Sequence, residues 1–125
     1  MSKRIIVVDD DKEVREIVTF VLSLHGYEVV SAAGGQQLQM HLTSLVPDLI
    51  ILDVMMPGED GFQICRGLRS GEETRNIPIV IITAHVEEIY EKISEDLGVA
   101  YHMIKPFHPL ELAEKVDTLL RKDAL

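Results

Sequence analysis

Arg4-Ile5-Ile6-Val7-Val8-Asp9-Asp10-Asp11-Lys12-Glu13-Val14-Arg15-Glu16-Ile17-Val18 changes its rhythm once, and that change decides the fold. Ile5–Val8 is a continuous β-branched run, the pattern of a strand covered on both faces. Beyond three acids, apolar residues recur at Val14, Ile17, Val18, Val21 and Leu22, the spacing of one buried helical stripe, and Gly26 supplies its stop. This is a strand-to-helix unit, and the rest of the chain repeats it.

Tyr27–Ser31 reads as a weaker second strand, followed by a Gly34-Gly35 turn and a helix carrying Leu38, Met40, Leu42 and Leu45 before Pro47. Leu49–Leu52 is a third strand. The loop Asp53–Gly61 holds Pro57, Gly58 and Gly61, and a helix from about Phe62 to Arg69 buries Phe62, Ile64, Cys65 and Leu68. Ile79–Ile82 is a fourth strand, with Val86, Ile89, Tyr90, Ile93 and Leu97 as the stripe of a helix stopped by Gly98. Tyr101–Ile104 is the fifth strand. Pro109 suits the first position of a last helix whose inward residues are Leu110, Ala113, Val116, Leu119 and Leu120, with Arg121 and Lys122 near its negative end.

Strands alternating with helices predict an α/β fold, a five-stranded parallel sheet with helices on both faces. Strands one, three and four are purely aliphatic, whereas two and five carry Glu28, Tyr101 and His102 and read as edges. The order 2-1-3-4-5 places both outside, the flavodoxin-like three-layer arrangement. In 125 residues this leaves no linker or repeat, so residues 1–125 read as one domain without room for a folded output domain.

Twelve Lys and Arg against 21 Asp and Glu give a net charge of −9, and the isoelectric point is about 4.9. A surplus of that sign repels phosphate backbones and anionic lipid, which disfavours direct nucleic-acid or membrane-surface binding and favours metal cations and basic protein surfaces. Apolar runs such as Leu49–Leu52 are four residues long, far below the roughly 20 that span a bilayer. One cysteine, Cys65, and an N-terminal Met1–Arg4 without an apolar signal core point to a reducing, cytoplasmic setting.

Open parallel sheets bind ligands beyond the carboxyl ends of their strands, at the point where strand order switches. Here those ends carry Asp9, Asp10 and Asp11, then Asp53, Thr83 and Lys105. Order 2-1-3-4-5 brings Asp9, Asp10 and Asp53 together. Two unit charges near 4 Å cost about 4 kcal/mol at an effective dielectric of 20, so the cluster calls for raised pKa values or a cation. A hard divalent ion with oxygen ligands, Mg²⁺ or Mn²⁺ in its place, is the economical answer. Lys105 and Thr83 opposite a metal-bound carboxylate suit a transferring phosphoryl group, and Asp53 is the best-placed nucleophile to receive it.

These residues resemble the receiver domain of two-component response regulators, of the stand-alone, chemotaxis-regulator-like kind, from Arg4 to Lys122. Val7-Val8-Asp9-Asp10-Asp11 is similar to its acidic pair, Asp53-Val54-Met55-Met56-Pro57-Gly58 with Gly61 to its phosphoacceptor segment, and Ile82-Thr83-Ala84 and Lys105-Pro106-Phe107 complete the set. The resemblance implies a signalling switch rather than an enzyme with a separate substrate. Asp53 would be phosphorylated by a sensor histidine kinase or histidine phosphotransferase, with the domain catalysing only its own phosphorylation and dephosphorylation. Asp10, Asp53 and the Met55 backbone carbonyl would ligate Mg²⁺, and Asp9 would act through water. Thr83 would move onto the phosphoryl group, Lys105 would pair with it, and the Lys105-Pro106 bond would be cis. The downstream partner stays open, as does a dimer formed on phosphorylation.

One position departs from the family, which usually has Tyr or Phe three residues before the Lys. Here His102 stands there, either as a polar switch ring or as a partly exposed edge residue. Met55 and His85 would flank the water path to the phosphoryl group and tune its hydrolysis.

Blander readings exist for each part. A helix N-terminus alone favours acids such as Asp9-Asp10-Asp11, and Asp53 alone could be a solvated strand end. Cys65 reads as inert core, and His25, His41 and His108 as surface or loop histidines without metal-ligand spacing. Glu87, Glu88, Glu91, Glu95 and Asp96 face only Lys92 on the fourth helix, which is either a solvated face or a docking surface for basic partners. An aspartyl-nucleophile phosphatase would share the Asp9-x-Asp11 spacing, but Glu13 occupies the place where that chemistry wants Thr or Val, and the chain is short for a substrate-capping insertion. A phosphorylation-independent interaction domain would not need all five of Asp9, Asp10, Asp53, Thr83 and Lys105.

Overall fold

The computed structural model describes residues 2–84 and 86–121, so the expectations for His85 and Lys122 lie outside the described residues. The elements run β1 (Arg4–Val8), α1 (Lys12–Leu24), β2 (Glu28–Ala32), α2 (Gly35–Leu42), β3 (Leu49–Asp53), β4 (Met55–Met56), β5 (Glu59–Asp60), α3 (Gly61–Ser70), β6 (Ile79–Thr83), α4 (Glu88–Asp96), β7 (Tyr101–Ile104) and α5 (Pro109–Arg121). The main sheet is parallel with order β2-β1-β3-β6-β7. Counting only its five strands, that is the expected 2-1-3-4-5.

Period-two alternation divides the strands between two cores. Ile5, Val7, Ile51, Val80 and Ile82 pack with Val18 and Leu22 of α1 and with Leu112 and Val116 of α5. Ile6, Val8, Ile50, Leu52 and Ile81 face the other way, against Leu38 of α2 and Phe62, Cys65 and Leu68 of α3. All five residues of β3 and of β6 are buried, which is why these runs contain no polar residue before Asp53 and Thr83. Each such aliphatic side chain contributes about 1.5–3 kcal/mol by leaving water. Cys65 belongs to this core, and burial raises its thiol pKa, as expected of an inert cysteine.

Three details differ from the sequence reading. The Asp53–Gly61 loop contains a small antiparallel hairpin, β4 with β5, too short to leave a periodic signal. Val86 precedes α4, and with Ile89 it is exposed, because α4 faces the sheet edge through Tyr90, Ile93, Ser94 and Leu97. Ile17, Met40 and Leu110 are likewise exposed rather than buried, and Leu45 lies past the end of α2. In α1, α2, α4 and α5 the apolar stripe is wider than the sheet contact that receives it, whereas the stripe of α3 is covered.

Candidate functional site

Strand register alone assembles the carboxyl-end residues. Val8 pairs with Leu52, so the next residues, Asp9 and Asp53, are neighbours. Asp53 pairs with Ile82, which puts Thr83 one step further on, and Thr83 pairs with Ile104, which does the same for Lys105. Asp9 and Thr83 are fully buried and Asp53 nearly so, at 3% exposure. Asp10 is exposed on the open side of the group.

Asp9, Asp10 and Asp53 each offer a carboxylate oxygen, all within 4.8 Å of one another. Lys105 Nζ lies 2.8 Å from Asp9 Oδ2 and 3.2 Å from Asp53 Oδ2. Asp9 Oδ2 is buried, with the Lys105 ammonium as its close partner. Burial raises the Asp9 pKa, against the hydrogen bonds from Lys105 and the Asp11 amide, and the Asp53 charge adds to the rise. For Lys105, burial opposes the ammonium, but the hydrogen bond to Asp9 and the charges of Asp53 and Asp9 outweigh it and raise its pKa. One ammonium shared by two buried carboxylates, with a third nearby, leaves net negative charge in a hard-oxygen donor set. That set fits a hard divalent cation.

The remaining oxygens position the group. Asp9 Oδ1 accepts from the Asp11 amide at 2.9 Å, Asp53 Oδ1 accepts from the Met55 amide at 2.9 Å, and Arg15 donates to the Asp9 carbonyl at 2.8 Å. Asp11 is the N-cap of α1, accepting from the Glu13 amide. The three acids therefore divide: a helix terminus explains Asp11 but not Asp9 or Asp10. The Lys105 amide donates to the Thr83 carbonyl at 2.7 Å, and the Lys105-Pro106 bond is cis. Met55 is partly exposed at the mouth, beyond Asp53.

His102 lies apart from the carboxylates, on β7, with its Nδ1 2.7 Å from Ser94 Oγ of α4. The Ser94 hydroxyl is also 3.0 Å from the Tyr90 carbonyl, and a hydroxyl has one proton to give. With that proton on the Tyr90 carbonyl, His102 Nδ1 carries its own and donates to Ser94. Burial lowers the His102 pKa, with Glu91 partly offsetting it. Below the ordinary value of about 6.5 the unfolded chain therefore takes a proton that the folded chain resists, and stability is lost as pH falls. The thermal midpoint is expected to drop between pH 7 and 5, and to drop less in His102→Asn. Parallel pH profiles for the two proteins would refute a half-buried His102 held neutral by the fold.

Sequence reading missed several anchors. His25 is not a free surface histidine: its Nδ1 lies 2.9 Å from Asp117 Oδ2, whose other oxygen accepts from Tyr27 at 2.5 Å. Arg69 donates to the carbonyls of Arg75, Ile77, Leu97 and Gly98, tying the end of α3 to the α4–β7 turn. Glu59 accepts from the Gly35 amide at 2.8 Å and holds the hairpin on the start of α2. These pairs are up to 92 residues apart, and no local pattern announces them.

A parallel sheet of this order, with an acidic cluster, a hydroxyl and an ammonium at its carboxyl edge, defines a doubly wound α/β domain with a charged candidate site at the strand ends. The family described as the response regulator receiver domain matches residues 5–117, and the chain belongs to it. It is therefore a domain of two-component signal transduction. It is 39% identical over 121 residues to the transcriptional regulatory protein GltR of Pseudomonas aeruginosa, covering 97% of this chain and 50% of that protein. It is 35% identical over 125 residues to the alkaline phosphatase synthesis transcriptional regulatory protein PhoP of Bacillus subtilis, covering all of this chain and 51% of that one. The chain thus spans about half the length of these curated relatives. Among solved structures, the chemotaxis protein CheY4 of Vibrio cholerae superposes with a TM-score of 0.89 at 28% identity, over 96% of this chain and 100% of that one. No helix among the described residues is long and apolar enough to cross a membrane.

Proposed function

We propose that this domain is a phosphorylation-controlled switch that accepts a phosphoryl group on Asp53 from a histidine kinase or histidine phosphotransferase in the cytoplasm, and that it signals by contact with a partner protein. The observation that carries this reading is the half-buried Lys105 ammonium bridging the buried carboxylates of Asp9 and Asp53 beside an exposed third carboxylate. Asp10, Asp53 and the Met55 carbonyl would hold Mg²⁺, or Mn²⁺, with Asp9 acting through water. The ion would neutralise phosphoryl oxygens and screen the carboxylate that they approach. The chain's own residues do the rest. The Met55 amide fixes Asp53 Oδ1, leaving Oδ2 on the Lys105 side as the attacking oxygen. In the transfer, Asp53 Oδ2 forms a bond to phosphorus while the donor's P–N bond breaks, and the nitrogen leaves with the bonding pair. Lys105 then moves from carboxylate to phosphoryl oxygen, and the Thr83 hydroxyl donates to another.

The direct test is mass spectrometry after incubation with acetyl phosphate. A gain of one phosphoryl group with Mg²⁺, and none with chelator, is expected; no gain under either condition would refute the reading.

Lys105 already neutralises part of the carboxylate charge that a cation would neutralise. Lys105→Met is therefore expected to bind Mg²⁺ several-fold more tightly at neutral pH, measured by calorimetry, while accumulating less phosphoprotein. Weaker Mg²⁺ binding would mean that Lys105 organises the carboxylates rather than competing for them.

A further inference from the structure

We infer that Glu59 is a positioning residue for the metal site, fastening the hairpin that carries the Met55 carbonyl to the amino end of α2. The inference rests on the function proposed above, in which that carbonyl is a ligand. Met55 and Met56 of β4 pair antiparallel with Asp60 and Glu59 of β5, around a left-handed Gly58. Two residues a side are too few for a hairpin to keep its shape in water, so each strand needs an anchor elsewhere. Met56 is buried and roots β4 in the core, whereas both residues of β5 are exposed. The anchors of β5 are polar. Asp60 is the N-cap of α3 and accepts from the Phe62 amide at 2.9 Å, and Glu59 accepts from the Gly35 amide at 2.8 Å, 24 positions away along the chain.

The start of α2 is suited to this carboxylate. Its N-cap is Gly34, which has no side chain to accept from the first turn, and that turn holds no acid. Glu59 brings the anionic acceptor that a helix amino end favours and that the sequence of α2 lacks. A Cβ on Gly34 or Gly35 would run into the Glu59 carboxylate, standing 2.6 Å from Oε1 in the case of Gly35. The two glycines are therefore a seat for Glu59 as well as a turn. One short strand thus caps two helices, α2 through Glu59 and α3 through Asp60, and both caps hold it beside the residues that follow Asp53. A rival account is that Glu59 acts only as one more negative charge near a cation, without fastening anything.

Glu59→Ala and Glu59→Gln separate the two accounts. Both remove the charge at an exposed position, but only the Gln carbonyl can still accept from the Gly35 amide. In Mg²⁺-free protein, hydrogen exchange of the Gly35 amide, followed by NMR, is expected to speed up by about tenfold or more in Glu59→Ala and far less in Glu59→Gln. Calorimetry is expected to show Mg²⁺ binding several-fold weaker in Glu59→Ala and close to wild type in Glu59→Gln. Equal weakening in the two variants would make Glu59 a distant charge and overturn the assignment. Unchanged Gly35 exchange in Glu59→Ala, or faster exchange with wild-type Mg²⁺ affinity, would overturn it as well. A wild type that binds no Mg²⁺ would instead bring down the metal site and this role together, a result distinct from normal wild-type binding that Glu59→Ala leaves untouched.

Discussion

Asp53→Asn is expected to abolish phosphoryl uptake, with no mass gain from acetyl phosphate and Mg²⁺ under conditions that modify the wild type. An amide offers no anionic oxygen to attack phosphorus, and no other carboxylate stands in its place: Asp9 is held by the Asp11 amide and Lys105, and Asp10 lies at the open edge. The substitution is nearly isosteric. Its carbonyl oxygen can keep the hydrogen bond from the Met55 amide, while Lys105 transfers wholly to Asp9. Removing one of three crowded carboxylates also relieves repulsion, so the metal-free variant should be no less stable than the wild type. Its Mg²⁺ affinity should fall by about tenfold or more with the loss of a charged ligand. A mass gain in Asp53→Asn equal to that of the wild type would move the phosphoacceptor elsewhere. Loss of folding would show that Asp53 is structural first.

Gly61→Ala is the second substitution with a large expected effect, and it acts through backbone. A Cβ on Gly61 would stand 2.2 Å from Val54 Cα, with Asp53 O and Val54 Cβ at 2.9 Å. None of these atoms can rotate away, and the Gly61 amide is also bonded to the Val54 carbonyl at 3.1 Å. The start of α3 is thus seated on the residue after Asp53. A methyl group there must push α3 from the end of β3, which is expected to lower stability by about 2–4 kcal/mol in urea unfolding and to slow phosphorylation. Gly67 in the same helix provides the contrast, since nothing lies within 4 Å of its added Cβ. Gly67→Ala should raise stability by about 1 kcal/mol through helix propensity. Equal effects at the two sites would show that close approach at Gly61 does not matter.

The clean parts of the fold were legible because burial on both faces forces composition. Leu49–Leu52 and Ile79–Ile82 contain no polar atom to place, while Glu28 and His102 mark strands that retain a solvent side. The candidate site was legible for a related reason. Asp9, Asp53, Thr83 and Lys105 each break an apolar run at its carboxyl end, and parallel pairing puts such breaks on one edge. Helix surfaces were less legible. Periodicity says that one stripe of α4 is apolar, but how much of it reaches the sheet depends on how α4 is set at the edge, and Val86 and Ile89 stay outside.

The residues by themselves determined the layer order, the strand order and the membership of the acidic site, because hydrophobic burial and parallel register are set by local pattern. Tertiary structure alone decided how the members are used. It made Asp11 a helix cap and Asp9 a buried partner of Lys105, tied His102 to Ser94, drew His25 onto Asp117, and left the acid-rimmed face of α4 uncovered. The physical reason is distance along the chain. A hydrogen bond or ion pair is short-ranged in space and indifferent to sequence separation, so its partner is fixed only when the strands and helices have been packed.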